Sequence, residues 1–254
     1  FTVEGIPAAA NPAEDAFAVV PALALAKAFL DDPVAPGGAV TLAFTVTNVD
    51  SSRPITDIAF SDDQGAVQAG LQATAWPAGG FCGAGSQLAG ASTLAFTGGT
   101  LAPGASCTFT VTIQAPPAVA ANSAVNTTSA VTGLIDGAAV TGDAARDTLT
   151  FQTALLTKRF TPGAVAGQTV LTFTLQNLAA GSDFYSLSFV DDLSAMLAGA
   201  TTTDLPKSNV CGAGSTLLGS TALSLNNGNL AAGAGCTFSV TVQIPSGAAP
   251  GTYT

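Results

Sequence analysis

The chain has 254 residues, 16 acidic and 6 basic side chains and no histidine, which is room for about two domains. Apolar residues make up 48% and charged residues 9%, which excludes a chain disordered along its length. A net charge of −10 with so few basic residues excludes phosphate-backbone binding, and the missing histidine removes the commonest general base and metal ligand.

In chain order, Phe1 stands without an initiator methionine or a basic, apolar leader, so the start reads as a processed or excised segment. The apolar run Ala16–Leu30 is broken by Pro21 and carries Lys27. A membrane span needs about 20 unbroken apolar residues, so none is expected. The first strand of a folded unit is expected around Lys27-Ala-Phe29. Leu42, Phe44 and Val46 then alternate with threonine and alanine, as do Cys107, Phe109, Val111 and Ile113 further on. Period-two alternation with β-branched outer positions marks half-buried strands. Pro36-Gly37-Gly38, Gly98-Gly99 and Asn227-Gly228 are expected as the turns between strands.

The second half repeats the first. An offset of 129 residues carries Cys82-Gly-Ala-Gly-Ser86 onto Cys211-Gly-Ala-Gly-Ser215 and the strand at Cys107 onto the strand at Cys236. It also carries Asn48 onto Asn177 and Asp62-Asp63 onto Asp191-Asp192. Upstream, Lys27-Ala-Phe29 matches Lys158-Arg-Phe160 with a slip of two residues. The expected organisation is a segment over 1–22, one repeat over 23–152 and a second over 153–254. The four cysteines form two equally spaced pairs, Cys82/Cys107 and Cys211/Cys236, with neither Cys-x-x-Cys nor histidine for zinc. Two disulfides and an oxidising, extracellular compartment follow. Each loop closure is worth roughly 3–4 kcal/mol in the chain-entropy view. Short strands on a period of this kind point to two tandem Ig-like β-sandwiches, an all-β protein.

The order Lys-x-Phe, Leu-x-Phe-Thr, Phe-x-Asp-Asp, Cys-Gly and then Leu-x-x-Gly-x-x-Cys-Thr-Phe resembles the conserved Ig-like tandem repeats of large bacterial surface proteins. That family is described mainly as domains of unknown function. The resemblance covers roughly residues 23–254 and implies an extracellular, array-forming structural protein. It brings no catalytic signature and no cofactor.

The ends complement each other. The counterpart of Thr254 in the first repeat is Val125, so the second repeat lacks its last strand or strands. The missing part has its match at the front, where Val3-Glu-Gly5 corresponds to Val131-Thr-Gly133 and Asp15-Ala16 to Asp143-Ala144. Phe1, Thr2, Val3, Glu4, Gly5 and Ile6 are therefore expected as an inter-subunit strand completing the second repeat of a neighbouring copy. Such a head-to-tail contact propagates instead of closing. Separate polymerising subunits, one period of a long polypeptide, and an excised piece with frayed ends all stay open.

Few residues offer chemistry. Lys27 with Asp62 and Asn126, and Lys158 with Asp191, resemble the residue sets of the lysine–asparagine isopeptide crosslinks in some surface Ig-like domains, which makes them candidates for such a bond. That chemistry needs a desolvated lysine beside a carboxyl group. The alternative is a lysine snorkelling from a sheet edge or paired with aspartate. Asp31-Asp32, Asp62-Asp63 and Asp191-Asp192 could offer oxygen ligands to calcium, or serve as solvated turn residues, since no Asp-x-Asp-x-Asp-Gly loop is present. Asn126-Thr127-Thr128 is a glycosylation sequon. Trp76 and Tyr185 are expected in loops, where they could contact a glycan. No nucleophile elbow, P-loop, dinucleotide fingerprint or Ser/His/Asp set is present, so no enzyme, metal or cofactor is expected. The expectation is a secreted or surface structural protein that partners its own copies in a filament or stalk, for instance supporting a biofilm. The rivals are an adhesin spacer or glycan-binding module, and an accessory domain of a secreted hydrolase.

Overall fold

The computed structural model describes residues 2–3, 6–7, 21–162 and 167–253. The strands in order are β1 (Thr2–Val3), β2 (Ile6–Pro7), β3 (Leu23–Phe29), β4 (Ala39–Asn48) and β5 (Ile55–Asp63). After the one-turn helix α1 (Gln64–Val67) come β6 (Gln72–Ala75), β7 (Gln87–Ala89), β8 (Thr93–Leu101) and β9 (Ser106–Gln114). The first repeat ends with β10 (Ser123–Thr127), β11 (Val131–Ile135), β12 (Ala138–Gly142) and β13 (Arg146–Thr150). The second runs through β14 (Ala154–Phe160), β15 (Gln168–Asn177), β16 (Phe184–Asp192), α2 (Leu193–Met196), β17 (Thr201–Thr202), β18 (Lys207–Ser208), β19 (Thr216–Leu218), β20 (Ala222–Leu230) and β21 (Gly235–Gln243).

The protein is all-β, in two sandwich units with one disulfide each. In the first unit a sheet ordered β3-β4-β9-β6 faces one ordered β12-β11-β5-β8-β7, and β10 and β13 form a further pair. In the second, β14-β15-β21-β17 faces β16-β20-β19-β18. The alternation does what its period requires. Leu42, Phe44 and Val46 of β4 and Phe109, Val111 and Ile113 of β9 are buried, and the threonines between them point outward. Phe44, Phe60, Phe96 and Phe109 meet across the sandwich with ring centroids 5.2–5.4 Å apart for Phe44–Phe60, Phe44–Phe109, Phe60–Phe96 and Phe96–Phe109. Phe173, Phe189 and Phe238 repeat the motif. On the outer face, hydroxyls pair across strands, as in Thr45–Thr108 and Thr172–Ser239, both 2.8 Å.

One expectation changes here. Gly98-Gly99 and Asn227-Gly228 are not turns between strands but lie inside β8 and β20. The ladders β5–β8 and β16–β20 slip register there, opposite Asp57 and Ser186, which sit at φ +51° and +56°. These are bulges, and the small residue is needed because a Cβ on Gly99 would stand 2.7 Å from the Phe96 ring. At the front of the chain Thr2–Val3 pairs antiparallel with Ile6–Pro7. Phe1, Glu4, Gly5 and residues 8–20 lie outside the described residues.

Candidate functional site

Lys27 lies at the middle of β3, on the face turned into the first unit, with its side chain wholly out of solvent. Its Nζ donates to Asp62 Oδ2 at 2.7 Å, and Asp62, at the end of β5, is equally buried. The ammonium stands 5.4 Å from the centre of the Phe44 ring and 5.8 Å from that of Phe29. Burial drives the Lys27 pKa down from its ordinary value, and the attraction of Asp62 offsets this only in part. The same oxygen, Asp62 Oδ2, also accepts from Asn126 Nδ2 at 3.2 Å and from Gln64 Nε2. Asn126 donates in addition to Gln64 Oε1 at 3.1 Å. Asn126 reaches this point because β10, paired to β13, lies over the open side of the sandwich. β13 is held there by Asp147, which accepts from the Phe29 backbone N–H at 2.7 Å. Lys27, Asp62 and Asn126 are thus one cluster, although they are separated widely in the chain.

The second unit builds only part of it. Lys158 Nζ donates to Asp191 Oδ1 at 2.6 Å, but the lysine side chain is 51% exposed, and no strand described in this unit corresponds to β10. Gln64 was not singled out from sequence. The signal was a break in the repeat, since the offset that carries Asp62-Asp63 onto Asp191-Asp192 carries Gln64 onto the buried Leu193.

The same difference leaves a surface. In the first unit β11 pairs with the edge of β5, and Ile55, Ile58 and Phe60 are buried. In the second unit the matching strand β16 has no partner on that side among the described residues, and Phe184, Leu187 and Phe189 are only partly covered. Together with Leu155 and Leu156 they line an apolar groove between β14 and β16.

The remaining candidates have structural explanations. Cys82–Cys107 and Cys211–Cys236 are bonded, each joining the loop after β6 or its repeat to the start of a core strand. The Cys-Gly-Ala-Gly-Ser motif closes on itself, since the serine hydroxyl accepts from the cysteine N–H at 2.8 Å in one unit and 2.9 Å in the other. Gly83 and Gly212 hold φ +98° and +89° there, which disfavours any Cβ. Asn48 and Asn177 are buried turn clamps, each donating to backbone carbonyls on two other segments. Of the aspartate pairs, Asp63 and Asp192 cap the one-turn helices. Asp192 is held below the usual carboxylate range by the Ser194 hydroxyl. Asp32 accepts from the Thr150 N–H. Among the described residues no three His, Cys, Asp or Glu groups gather as a metal site. Asn126 is fully buried, so its sequon is closed to a glycan in the folded unit. Tyr185 is not in a loop but on β16, 72% exposed, its hydroxyl donating to Asp183, which raises the phenol pKa. Trp76 is exposed just after β6. Among the described residues no helix is long and apolar enough to cross a membrane.

The family model described as "Domain of unknown function (DUF7933)" matches the chain twice, over residues 23–151 and 154–254. No curated protein matches. Among solved structures the chain is similar to the full-length major pilin SpaD from Corynebacterium diphtheriae, at 14% identity and a TM-score of 0.38, covering 82% of this chain and 51% of that one. It thus spans about half of that pilin's length. It is also similar to the type II cohesin dyad from the adaptor ScaA scaffoldin of Acetivibrio cellulolyticus, at 13% identity and a TM-score of 0.23, covering 84% and 83% of the two chains.

Proposed function

We propose that this chain, which belongs to the DUF7933 family through both of its repeats, is a stretch of an extracellular structural array whose sandwich units follow one another end to end. One observation carries the reading. Among the described residues the second unit has no strand on the outer edge of β16, and an apolar groove lies at the place where β10–β13 close the first. An unpaired edge of this kind invites a further strand. The front of the chain has the matching sequence, with Val3-Glu-Gly5 standing for Val131-Thr-Gly133 of β11. The closing segment therefore comes from the next stretch of chain or from the front of another copy, and units accumulate in a line. The two disulfides suit an oxidising extracellular setting. The role is mechanical: to space, link or bear load in a filament or stalk at a cell surface.

Light scattering on the purified chain at rising concentration tests the closure. Head-to-tail association that disappears when residues 1–22 are removed supports it. A chain that stays monomeric throughout sinks it. Denaturing mass measurement on native material separates the two versions, a species of this length meaning strand donation and a very large one meaning a continuous array. The adhesin-spacer reading shares this geometry and would require a distinct receptor-binding domain elsewhere in the full protein.

A further inference from the structure

We propose that the first unit forms an intramolecular isopeptide bond between Lys27 Nζ and Asn126 Cγ, with Asp62 as the catalytic carboxylate. The inference stands on the buried cluster alone and does not depend on the array reading. Three observations converge. First, one oxygen of Asp62 touches both the amine nitrogen, at 2.7 Å, and the amide nitrogen that would leave, at 3.2 Å. That places a proton acceptor and donor between nucleophile and leaving group. Second, the cluster is poorly satisfied as an ion pair. A lysine ammonium has three N–H groups, and among the described residues only the bond to Asp62 engages them, while Asp62 Oδ1 and Asn126 Oδ1 are buried acceptors that meet no donor among those residues. Third, the amine is wholly desolvated between two phenyl rings, which favours its neutral, nucleophilic form.

The step balances without an outside reagent. Lys27 passes one proton to Asp62, and the free amine attacks Cγ of Asn126. Asp62 relays a second Nζ proton to Nδ2, the Cγ–Nδ2 bond breaks, and ammonia leaves. The products are the Nζ–Cγ amide, one ammonia and a neutral Asp62. An ion pair in an apolar interior is thereby exchanged for a neutral amide, and the otherwise unpaired acceptors gain a carboxyl proton to share. The bond would tie β3 to β10, so tension applied along the chain would bypass every residue from 28 to 125, the disulfide included. The second unit is an internal control. Lys158 is half exposed, Leu193 replaces Gln64, and the described residues place no asparagine beside Asp191.

Intact mass of the purified, reduced 254-residue chain provides the test. The expected result is a mass one ammonia below the sequence mass, not two. Digestion at aromatic residues should then yield a branched peptide containing both Lys27 and Asn126. Lys27→Met, Asn126→Ala and Asp62→Ala should each restore the full mass. A full mass in the wild-type chain, folded by its far-ultraviolet circular dichroism and with both disulfides formed before reduction, overturns the proposal. So does an ammonia deficit that maps to Asn227-Gly228, where succinimide formation loses the same mass. If Asp62→Ala does not fold, the wild-type mass and its branched peptide still decide the matter.

Discussion

The two repeats share a strand order, a disulfide and an aromatic cluster, yet they differ in how far they bury the same positions. Ile55, Ile58 and Phe60 of β5 are closed off, whereas Phe184, Leu187 and Phe189 of β16 stay partly open. Lys27 is sealed and Lys158 is half in solvent, although each holds an aspartate at hydrogen-bond distance. The cause is one group of strands. β10–β13 cover the side of the first sandwich where β3 and β5 would otherwise end in solvent, and no described strand does so for β14 and β16. A contact is therefore not an environment. The same Lys–Asp pair is half open to solvent on its lysine side in one copy and wholly desolvated in the other.

Substitutions at matched positions sharpen that contrast, and the single tryptophan, Trp76, lies in the first repeat, so its fluorescence reports on that unit alone. The largest difference is expected at the aspartates. Asp62→Ala blocks the crosslink and leaves the Lys27 ammonium buried without its partner, so it should cost the first unit at least about 3 kcal/mol in a urea melt. Asp191→Ala should cost the second less than about 1 kcal/mol. Equal effects would break the comparison. Next are the disulfides, each joining residues 25 apart. Replacing either pair by alanine should remove roughly 3 kcal/mol from its own unit, since loop length, not burial, sets the effect. Asn48→Ala and Asn177→Ala should cost about 1–3 kcal/mol each, with little difference between repeats, because both leave partly buried backbone carbonyls unserved. The smallest effect is expected at the open edge. Val190→Lys, at a position 70% exposed, should change chain stability by no more than about 0.5 kcal/mol. In light scattering it should nevertheless weaken association measurably, because a charge on a bare edge discourages pairing. Unchanged association would separate the β16 edge from assembly.

Much of the fold was legible because its signals are local or repeated. Leu42, Phe44 and Val46 announce their strand by alternation, and the offset that maps Cys82 onto Cys211 announces two copies and two bonded pairs. The Lys27–Asp62–Asn126 set was also legible as a combination, though not its separation from solvent. Where sequence reading failed, a local rule was overruled by pairing. Gly98-Gly99 and Asn227-Gly228 have turn chemistry, but neighbouring strands hold them in bulges inside β8 and β20. The sequon at Asn126 is a valid three-residue motif defeated by burial. Gln64 carried no motif at all and became visible only as the place where the second copy has leucine.

From sequence alone came the all-β class, the doubled unit and the cysteine partnership, because side-chain alternation and repeat spacing are properties of a chain read along its length. Tertiary structure alone decided that Lys27 is sealed, that Asn126 meets Asp62, and that β16 pairs only with β20 among the described residues. Those facts depend on which strand lies over which edge, and solvent access to a side chain is set by its neighbours in space, not by its neighbours in sequence.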